Sequence, residues 1–344
     1  EKVPVPITRI AADLVRELAL VSSILADKKD SPDLQGLAQR AANQARDLDF
    51  LLRQDEQGFV YYSELRAKSL ILRAAPIQVA SLLREIFYPN LESIIFTSAT
   101  LTVSHKKEPS FDYFKSRMGL DKLSQAKHLW LKSSFSFQKQ ALLFLPKNVP
   151  DPDALDFVPK ASKVMEELVL LSRGRAFLLF TSYKNLEAFY DILSQKLKYP
   201  ALCQGDKPRS ELLREFRAIE ESVLFATTSF WQGVDVIGPS LSLVVIDRLP
   251  FDSPGDPLIK ARINHINQSG GKAFFDYQVP SAVIMLRQGL GRLIRSTKDR
   301  GVLCILDPRI QKRNYGKIFL DSLPEMSLTH KIDEVAQFFA KEQA

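Results

Sequence analysis

Cysteine is nearly absent: Cys203 and Cys304 are the only two among 344 residues, far apart and each inside an apolar stretch. Two such thiols cannot supply a disulfide framework, a zinc site or an iron–sulfur ligand set, so buried bystander thiols are expected. Histidine is equally sparse, and His105, His128, His265 and His330 form no metal-spaced cluster. No apolar run reaches the roughly eighteen residues that a hydrophobic helical span needs. No secretory pattern follows Glu1, and an opening Glu in place of Met gives the expectation that the chain starts inside a longer protein.

What remains is ordinary for a folded domain. The chain is 45% hydrophobic and 25% charged, with 22 Phe and 9 Tyr to fill cores. Its length suits two domains and is tight for three. Lys and Arg total 47 against 40 Asp and Glu, a net charge of +7. That excess permits a polyanionic partner without requiring one.

The chain changes character along its length. Ile10, Leu14, Leu18, Val21 and Leu25 recur at helical spacing, Pro32 interrupts, and Leu34, Leu37, Ala41, Leu48 and Leu52 resume it. An antiparallel helical pair is expected. Beyond Gly58 the segments 59–62 and 70–72 read as strands, 79–87 as a helix and 93–96 as a short apolar strand. So few elements cannot cover a sheet on both faces, and sequence lying before Glu1 is expected to complete that lobe. From about residue 139, strands near 141–145, 176–180, 201–203, 223–225, 243–246 and 302–306 alternate with helical segments, the longest spanning 279–296. That alternation predicts a mostly parallel three-layer α/β domain, the last strand closing the sheet and ligands meeting the carboxyl ends of the strands.

Polar runs follow several of these strands. Thr97-Ser98-Ala99-Thr100 follows the 93–96 strand; its hydroxyls can bond neighbouring acids and water, or cap the next turn. Thr181-Ser182 with Lys184 follows another, and can grip a sugar–phosphate backbone or cap the following helix. The run 226–235 holds Trp231, Gly233 and Asp235, residues suited to a close-fitting loop near a ribose, a water or an arginine. Asp247-Arg248 can lock a turn, while Arg309, Lys312 and Arg313 extend the basic character beyond the last strand. On a continuous helix, Gln288, Arg292 and Arg295 share one face opposite Val283, Leu286, Leu290 and Leu293, and Gly291 allows close approach. Paired guanidiniums suit phosphate because each stays charged and donates in a planar fork. They would offset charge developing during phosphoryl transfer.

In order, these segments resemble the superfamily 2 helicases of the DinG/XPD group, especially bacterial DinG-like members. Phe96-Thr97-Ser98-Ala99-Thr100-Leu101 looks like motif III, Leu179-Phe180-Thr181-Ser182-Tyr183 like motif IV and 226–235 like motif V. Gln288-Gly289-Leu290-Gly291-Arg292-Leu293-Ile294-Arg295 matches the Gln-x-x-Gly-Arg-x-x-Arg motif VI. The resemblance implies that residues 1–54 are the end of a helical Arch-like insertion. Residues 55–135 would be the later part of a first RecA-like lobe, and 136–344 a second RecA-like lobe of the P-loop NTPase type. It implies that Arg292 and Arg295 contact ATP phosphates, that Gln288 closes the nucleotide cleft with Gly291 beside it, and that Gly233 and Asp235 face the nucleotide. Thr181, Ser182 and Lys184 would lie along single-stranded DNA, and Thr97, Ser98 and Thr100 would couple nucleotide state to lobe movement.

The chain departs from the family pattern in lacking a Gly-x-x-x-x-Gly-Lys-Ser/Thr phosphate loop and an Asp-Glu-x-His-like acidic motif. ATP and Mg2+ are therefore expected as cofactors of a longer polypeptide whose missing amino-terminal part is this chain's partner. Any iron–sulfur ligands would also lie upstream. A cytoplasmic DNA helicase or translocase is the leading expectation, with the chain inactive by itself. A non-motor nucleic-acid-binding or regulatory module, or the motor-like region of a DinG-like nuclease, are the alternatives.

Overall fold

The computed structural model describes residues 5–28, 31–66, 69–230 and 241–341. The chain divides into two compact units, Glu1–Asn90 with Ser253–Gly271, and Leu91–Asp252 with Lys272–Ala344.

In the first unit, α1 (Val5–Ala26) and α2 (Pro32–Arg53) form the expected antiparallel pair. Ser22 donates to the Ala38 carbonyl, and Gln35 reaches back to the carbonyls of Ala26 and Lys28. The contact stripe is rotated from the one expected. Leu18 and Leu25 are half-buried, whereas Ile10, Leu14 and Val21 are exposed. α2 offers the buried alanines Ala38, Ala41 and Ala45, so the backbones approach closely, and the half-buried positions of α1 are Thr8, Ala11, Val15, Leu18, Ser22 and Leu25. An antiparallel hairpin follows, β1 (Phe59–Arg66) with β2 (Ser69–Pro76), in the register Phe59↔Pro76. The Phe50 ring at the end of α2 packs edge-on against Phe59 at 5.4 Å. A short α3 (Val79–Leu82) runs into a π-helical turn, Leu83–Phe87. The unit regains chain at Pro257–Gln268, a helix that Asp256 caps by accepting the N–H groups of Leu258 and Ile259. Arg262 on that helix donates to the Ile77 carbonyl at 3.2 Å.

The second unit begins at Leu91 without the strand expected there. Residues 93–96 are not a strand; no described strand pairs with them, and Ile95 is 89% exposed. An apolar run supplies side chains for a strand but not the neighbouring N–H and C=O groups that make one. A small hairpin, β3 (Val103–His105) with β4 (Glu108–Ser110), and α4 (Asp112–Met118) come next.

After α5 (Phe137–Gln140), regular alternation begins: β5 (Ala141–Phe144), α6 (Phe157–Leu171), β6 (Ala176–Phe180), α7 (Tyr183–Leu193), β7 (Ala201–Cys203), α8 (Arg209–Ala218), β8 (Val223–Thr227) and β9 (Leu243–Ile246). The Pro257–Gln268 helix is α9, followed by α10 (Val279–Leu290), β10 (Gly301–Ile305), α11 (Arg309–Lys312), α12 (Gly316–Ser322), β11 (Ser327–Thr329) and α13 (Ile332–Ala340). The seven-stranded sheet has the order β11-β5-β10-β9-β6-β8-β7, every pair parallel. β10 does not close the sheet: it inserts between β5 and β9, and β11, a strand unseen in the sequence, forms that edge.

Period-two alternation along each strand builds two cores. Leu143, Phe177, Leu179, Leu224, Val244 and Leu303 meet Leu212 and Phe216 of α8, Val283 and Leu286 of α10, and Phe319 of α12. Leu142, Phe144, Leu178, Phe180, Phe225 and Val245 meet Phe157 and Leu168 of α6, Phe189 of α7, and Val335 and Phe339 of α13. The inner strands β5, β6, β8, β9 and β10 are fully buried because helices cover both faces, which explains their near-continuous apolar sequences. Both cysteines are buried, as their apolar surroundings suggested.

Close packing at the start of β10 makes one glycine indispensable. A Cβ on Gly301 would stand 2.5 Å from Leu293 Cδ1 and 2.6 Å from the Ser242 carbonyl oxygen. Gly301→Ala is expected to destabilise the fold by about 1–3 kcal/mol through overpacking. A urea midpoint equal to that of the unsubstituted chain would reject this account.

Candidate functional site

The sheet has two polar edges, and they carry different residues. At the carboxyl edge, the backbone at the ends of β6, β8 and β9 is pinned by a side chain that follows an adjacent strand. Asp247, just after β9, is fully buried. Its Oδ1 accepts the Thr181 N–H (3.0 Å) and the Arg248 N–H (2.7 Å), and its Oδ2 accepts from Asn185 Nδ2 at 2.7 Å. Asp307, after β10, is also fully buried; it accepts the Leu249 N–H at 2.9 Å and forms an ion pair with Arg309 at 2.7 Å. After β7, Gln204 Oε1 accepts the Thr227 N–H at 2.7 Å and its hydroxyl at 3.1 Å, fixing the loop after β8. Each acceptor thus serves the loop of an adjacent strand.

This lattice presents the predicted backbone-facing group. Thr181 is half-buried, while Ser182 and Lys184 are exposed. Ser182 also caps α7, its Oγ accepting the Asn185 N–H at 3.1 Å, so the capping arrangement is present and its hydroxyl proton remains available as a donor. Asp247-Arg248 does more than lock its own turn: the carboxylate holds the Thr181 loop, while the Arg248 guanidinium donates to Asp153 and to the Pro152 carbonyl. Arg309 and Lys312 are engaged by Asp307 and Asp151. Gly233, Asp235 and Trp231 lie outside the described residues.

The arginines sit elsewhere. α10 ends at Leu290 rather than running to 296, and Gly291 to Leu293 form a turn in which Arg292 N donates to the Gly289 carbonyl at 3.1 Å. Gln288, Arg292 and Arg295 therefore do not share one continuous helical face. The turn leads into the amino end of β10, so this group lies at the amino edge of the sheet, opposite Thr181 and Lys184. Gln140, just before β5, donates to the carbonyls of Ser296 (2.8 Å) and Asp299 (2.9 Å). Asp299 Oδ2 in turn accepts the N–H groups of Arg295 and Ser296, both at 2.8 Å, which fixes the backbone carrying Arg295. Arg292 and Arg295 are half-buried, and the buried Gln288 Oε1 has no hydrogen-bond partner among the described residues. A methyl at Gly291 would make only ordinary contacts, 3.4 Å from the Arg287 carbonyl oxygen, so nothing within this unit requires glycine there.

Arg287, which the sequence reading passed over, joins this turn to the first hydroxyl run. Its guanidinium donates to the Ala99 carbonyl at 3.1 Å and to the carbonyl and hydroxyl of buried Thr102. Burial away from any carboxylate lowers its pKa. Ser98 Oγ accepts the Thr100 N–H at 3.2 Å, and the Thr97–Thr102 segment is held beside the end of α10. The structure thus brings Thr97, Ser98 and Thr100 into the neighbourhood of Gln288 and separates both from Thr181, Ser182 and Lys184. An arginine preceding a Gln-x-x-Gly-Arg run gives no signal of that clasp, because its partners are carbonyls almost two hundred residues earlier (|i−j| of 188 and 185).

A seven-stranded, fully parallel sheet covered by helices on both faces, with these two polar edges, is a RecA-like helicase lobe. Residues 165–326 match the helicase C-terminal domain family. The ATP-dependent DNA helicase YoaA of Escherichia coli (strain K12) is 38% identical over 286 residues, covering 83% of this chain and 44% of the relative. The ATP-dependent helicase DinG of Mycobacterium tuberculosis (strain ATCC 25618 / H37Rv) is 38% identical over 267 residues, covering 77% of this chain and 39% of the relative. A solved XPD helicase structure shares the fold at a TM-score of 0.57 and 15% identity, covering 93% of this chain and 61% of that one. The chain is thus similar to helicases of the DinG/XPD group, and spans less than half the length of these two sequence relatives.

Two expectations follow from the geometry. Arg287→Ala should leave the sheet intact but loosen residues 97–102, whose amides should exchange roughly tenfold faster or more on loss of a charged donor. Unchanged exchange in that segment would refute the clasp. Burial pushes the Asp247 carboxyl up to about 6, although three N–H donors and nearby Arg248 oppose the shift. The folded state therefore holds a proton that the unfolded chain releases, and this contribution to stability is complete below pH ~4 and lost as pH rises through about 6. Its full extent is on the order of 3 kcal/mol. Asp247→Asn should flatten that part of the stability–pH profile; a profile of unchanged slope would count against it.

Proposed function

We propose that this chain supplies the second motor lobe of an ATP-dependent DNA helicase or translocase that moves along single-stranded DNA. The observation that carries the reading is the separation of two chemistries onto opposite edges of one sheet: an arginine turn clasped to the Thr97–Thr102 segment, and a pinned, hydroxyl-bearing loop with an exposed lysine. The relatives named as an ATP-dependent DNA helicase, YoaA, and an ATP-dependent helicase, DinG, support it.

Arg292 and Arg295 would hold phosphate oxygens of ATP, and their charge would offset that developing on a transferring phosphoryl group. The buried, unpartnered Gln288 Oε1 fits a water or hydroxyl donor in the same cleft. Among the described residues no group of three or more His, Cys, Asp or Glu could hold a metal ion, so no ligand for Mg2+ is assigned to this chain. Gly233 and Asp235 would face the nucleotide as the family pattern implies. Thr181, Ser182 and Lys184 would contact the DNA backbone without reading sequence, since hydroxyls and an ammonium recognise phosphate and sugar rather than base edges. The Arg287 clasp would carry changes at the arginine turn to Thr97, Ser98 and Thr100. Residues 1–54, 55–135 and 136–344 would correspond to the end of an Arch-like insertion, part of a first lobe and the second lobe. No described helix is long and apolar enough to cross a membrane.

The purified chain is expected to show no appreciable ATP turnover, because the phosphate loop is not in its sequence. It should bind single-stranded DNA with an affinity that falls log-linearly with salt, and Lys184→Ala should lower the slope by about 0.7. Arg292→Ala, on the opposite edge, should leave that affinity within about twofold. Robust turnover abolished by Arg292→Ala would overturn the inactivity of the chain, and salt-independent DNA binding would overturn backbone recognition.

A further inference from the structure

Tyr183 is unusual for a large aromatic at the carboxyl edge of a sheet: it is 55% exposed although it opens α7 beside Thr181, Ser182 and Lys184. It is also tethered. Gln204 Nε2 donates to the Tyr183 hydroxyl, while Gln204 Oε1 accepts both the N–H and the hydroxyl of Thr227. One glutamine therefore spans the loops after β6, β7 and β8, and holds the tip of the phenol. At the other end, Ser182 caps the helix and Asp247 fixes the Thr181 N–H, so the backbone entering the tyrosine is set by two further bonds. A flexible side chain covering its own apolar surface needs no such arrangement. The ring is held at both ends with much of its surface open to solvent.

A cation follows it directly: Lys184 is exposed. Arg209, at the first turn of α8 after β7, lies with its guanidinium 5.2 Å from the Phe230 ring centre. An aromatic surface beside exposed positive charge and hydroxyls has the chemistry of a platform for single-stranded nucleic acid. Bases stack on the ring, phosphates meet the cations, and little sequence preference results. Pre-fixing the ring removes ordering that would otherwise oppose binding.

We propose that Tyr183 is a base-stacking platform for single-stranded DNA, with Gln204 as the positioning residue that orients its ring. This rests on the backbone-binding reading above and adds to it a contact with the nucleobase. The test compares the affinity of the chain for a short labelled oligothymidylate and for an abasic strand of equal length, by fluorescence anisotropy. The unsubstituted chain should prefer the base-bearing strand by about fivefold or more. Tyr183→Ala should abolish that preference while keeping the salt dependence, Tyr183→Trp should keep it, and Gln204→Ala should weaken binding of the base-bearing strand more than that of the abasic strand. A preference that survives Tyr183→Ala, or equal binding of both strands by the unsubstituted chain, overturns the platform and leaves backbone recognition standing. Failure of the unsubstituted chain to bind either strand overturns both.

Discussion

Asp247 has no contact with water, so its charge is tolerated at the end of β9 only because neighbouring N–H groups are aimed at it. Those donors belong to the loop after β6, to the next residue and to the helix that follows Thr181. The dependence runs both ways. Without the carboxylate, the Thr181 and Asn185 donors would be buried without acceptors; without them, the carboxylate would be an unpaired charge. Asp307 and Gln204 repeat the arrangement on neighbouring strands. The carboxyl edge is therefore a polar lattice in which these buried acceptors and their backbone donors satisfy one another.

That arrangement matters because the proposed function would give the two edges different tasks. A lobe that moves along a polymer needs a surface of fixed shape against the backbone and a separate surface that responds to a nucleotide. The sheet keeps them apart by its full strand length, with apolar cores on both faces between them. The arginine turn is itself built from side-chain caps, Gln140 holding the carbonyls of Ser296 and Asp299 while Asp299 holds the backbone of Arg295. Arg287 then extends the turn to the Thr97–Thr102 segment. A change felt at the turn has a direct covalent and hydrogen-bonded route to that segment, and none so short to the carboxyl edge.

The parallel α/β lobe was legible in the sequence because strands covered on both faces must be apolar throughout and the helices between them must carry a periodic stripe. The ranges 141–145, 176–180 and 243–246 became β5, β6 and β9 within a residue at either end. The helical pair was legible for the same reason, but its contact face was not, since close approach favoured alanine over the larger side chains that mark a stripe. The 93–96 segment misled because it has a strand's side chains and no pairing partner among the described residues. Motif spacing singled out Gln288, Arg292 and Arg295, but the helix ends at Leu290, so they do not share the one face that an unbroken helix would give them. Arg287, Gln140 and Asp299 were invisible, their partners being set by folding rather than by local pattern.

Residue order alone determined the alternation of elements, the two buried faces of the sheet and the motif string, because each follows from side-chain type at fixed local spacing. Tertiary structure decided where helix α10 stops, which edge receives the arginines, where β10 and β11 insert, and which buried acceptor serves which loop. Those outcomes depend on hydrogen bonds between residues distant in sequence, and a buried polar group takes whichever partner the packed backbone brings within about 3 Å.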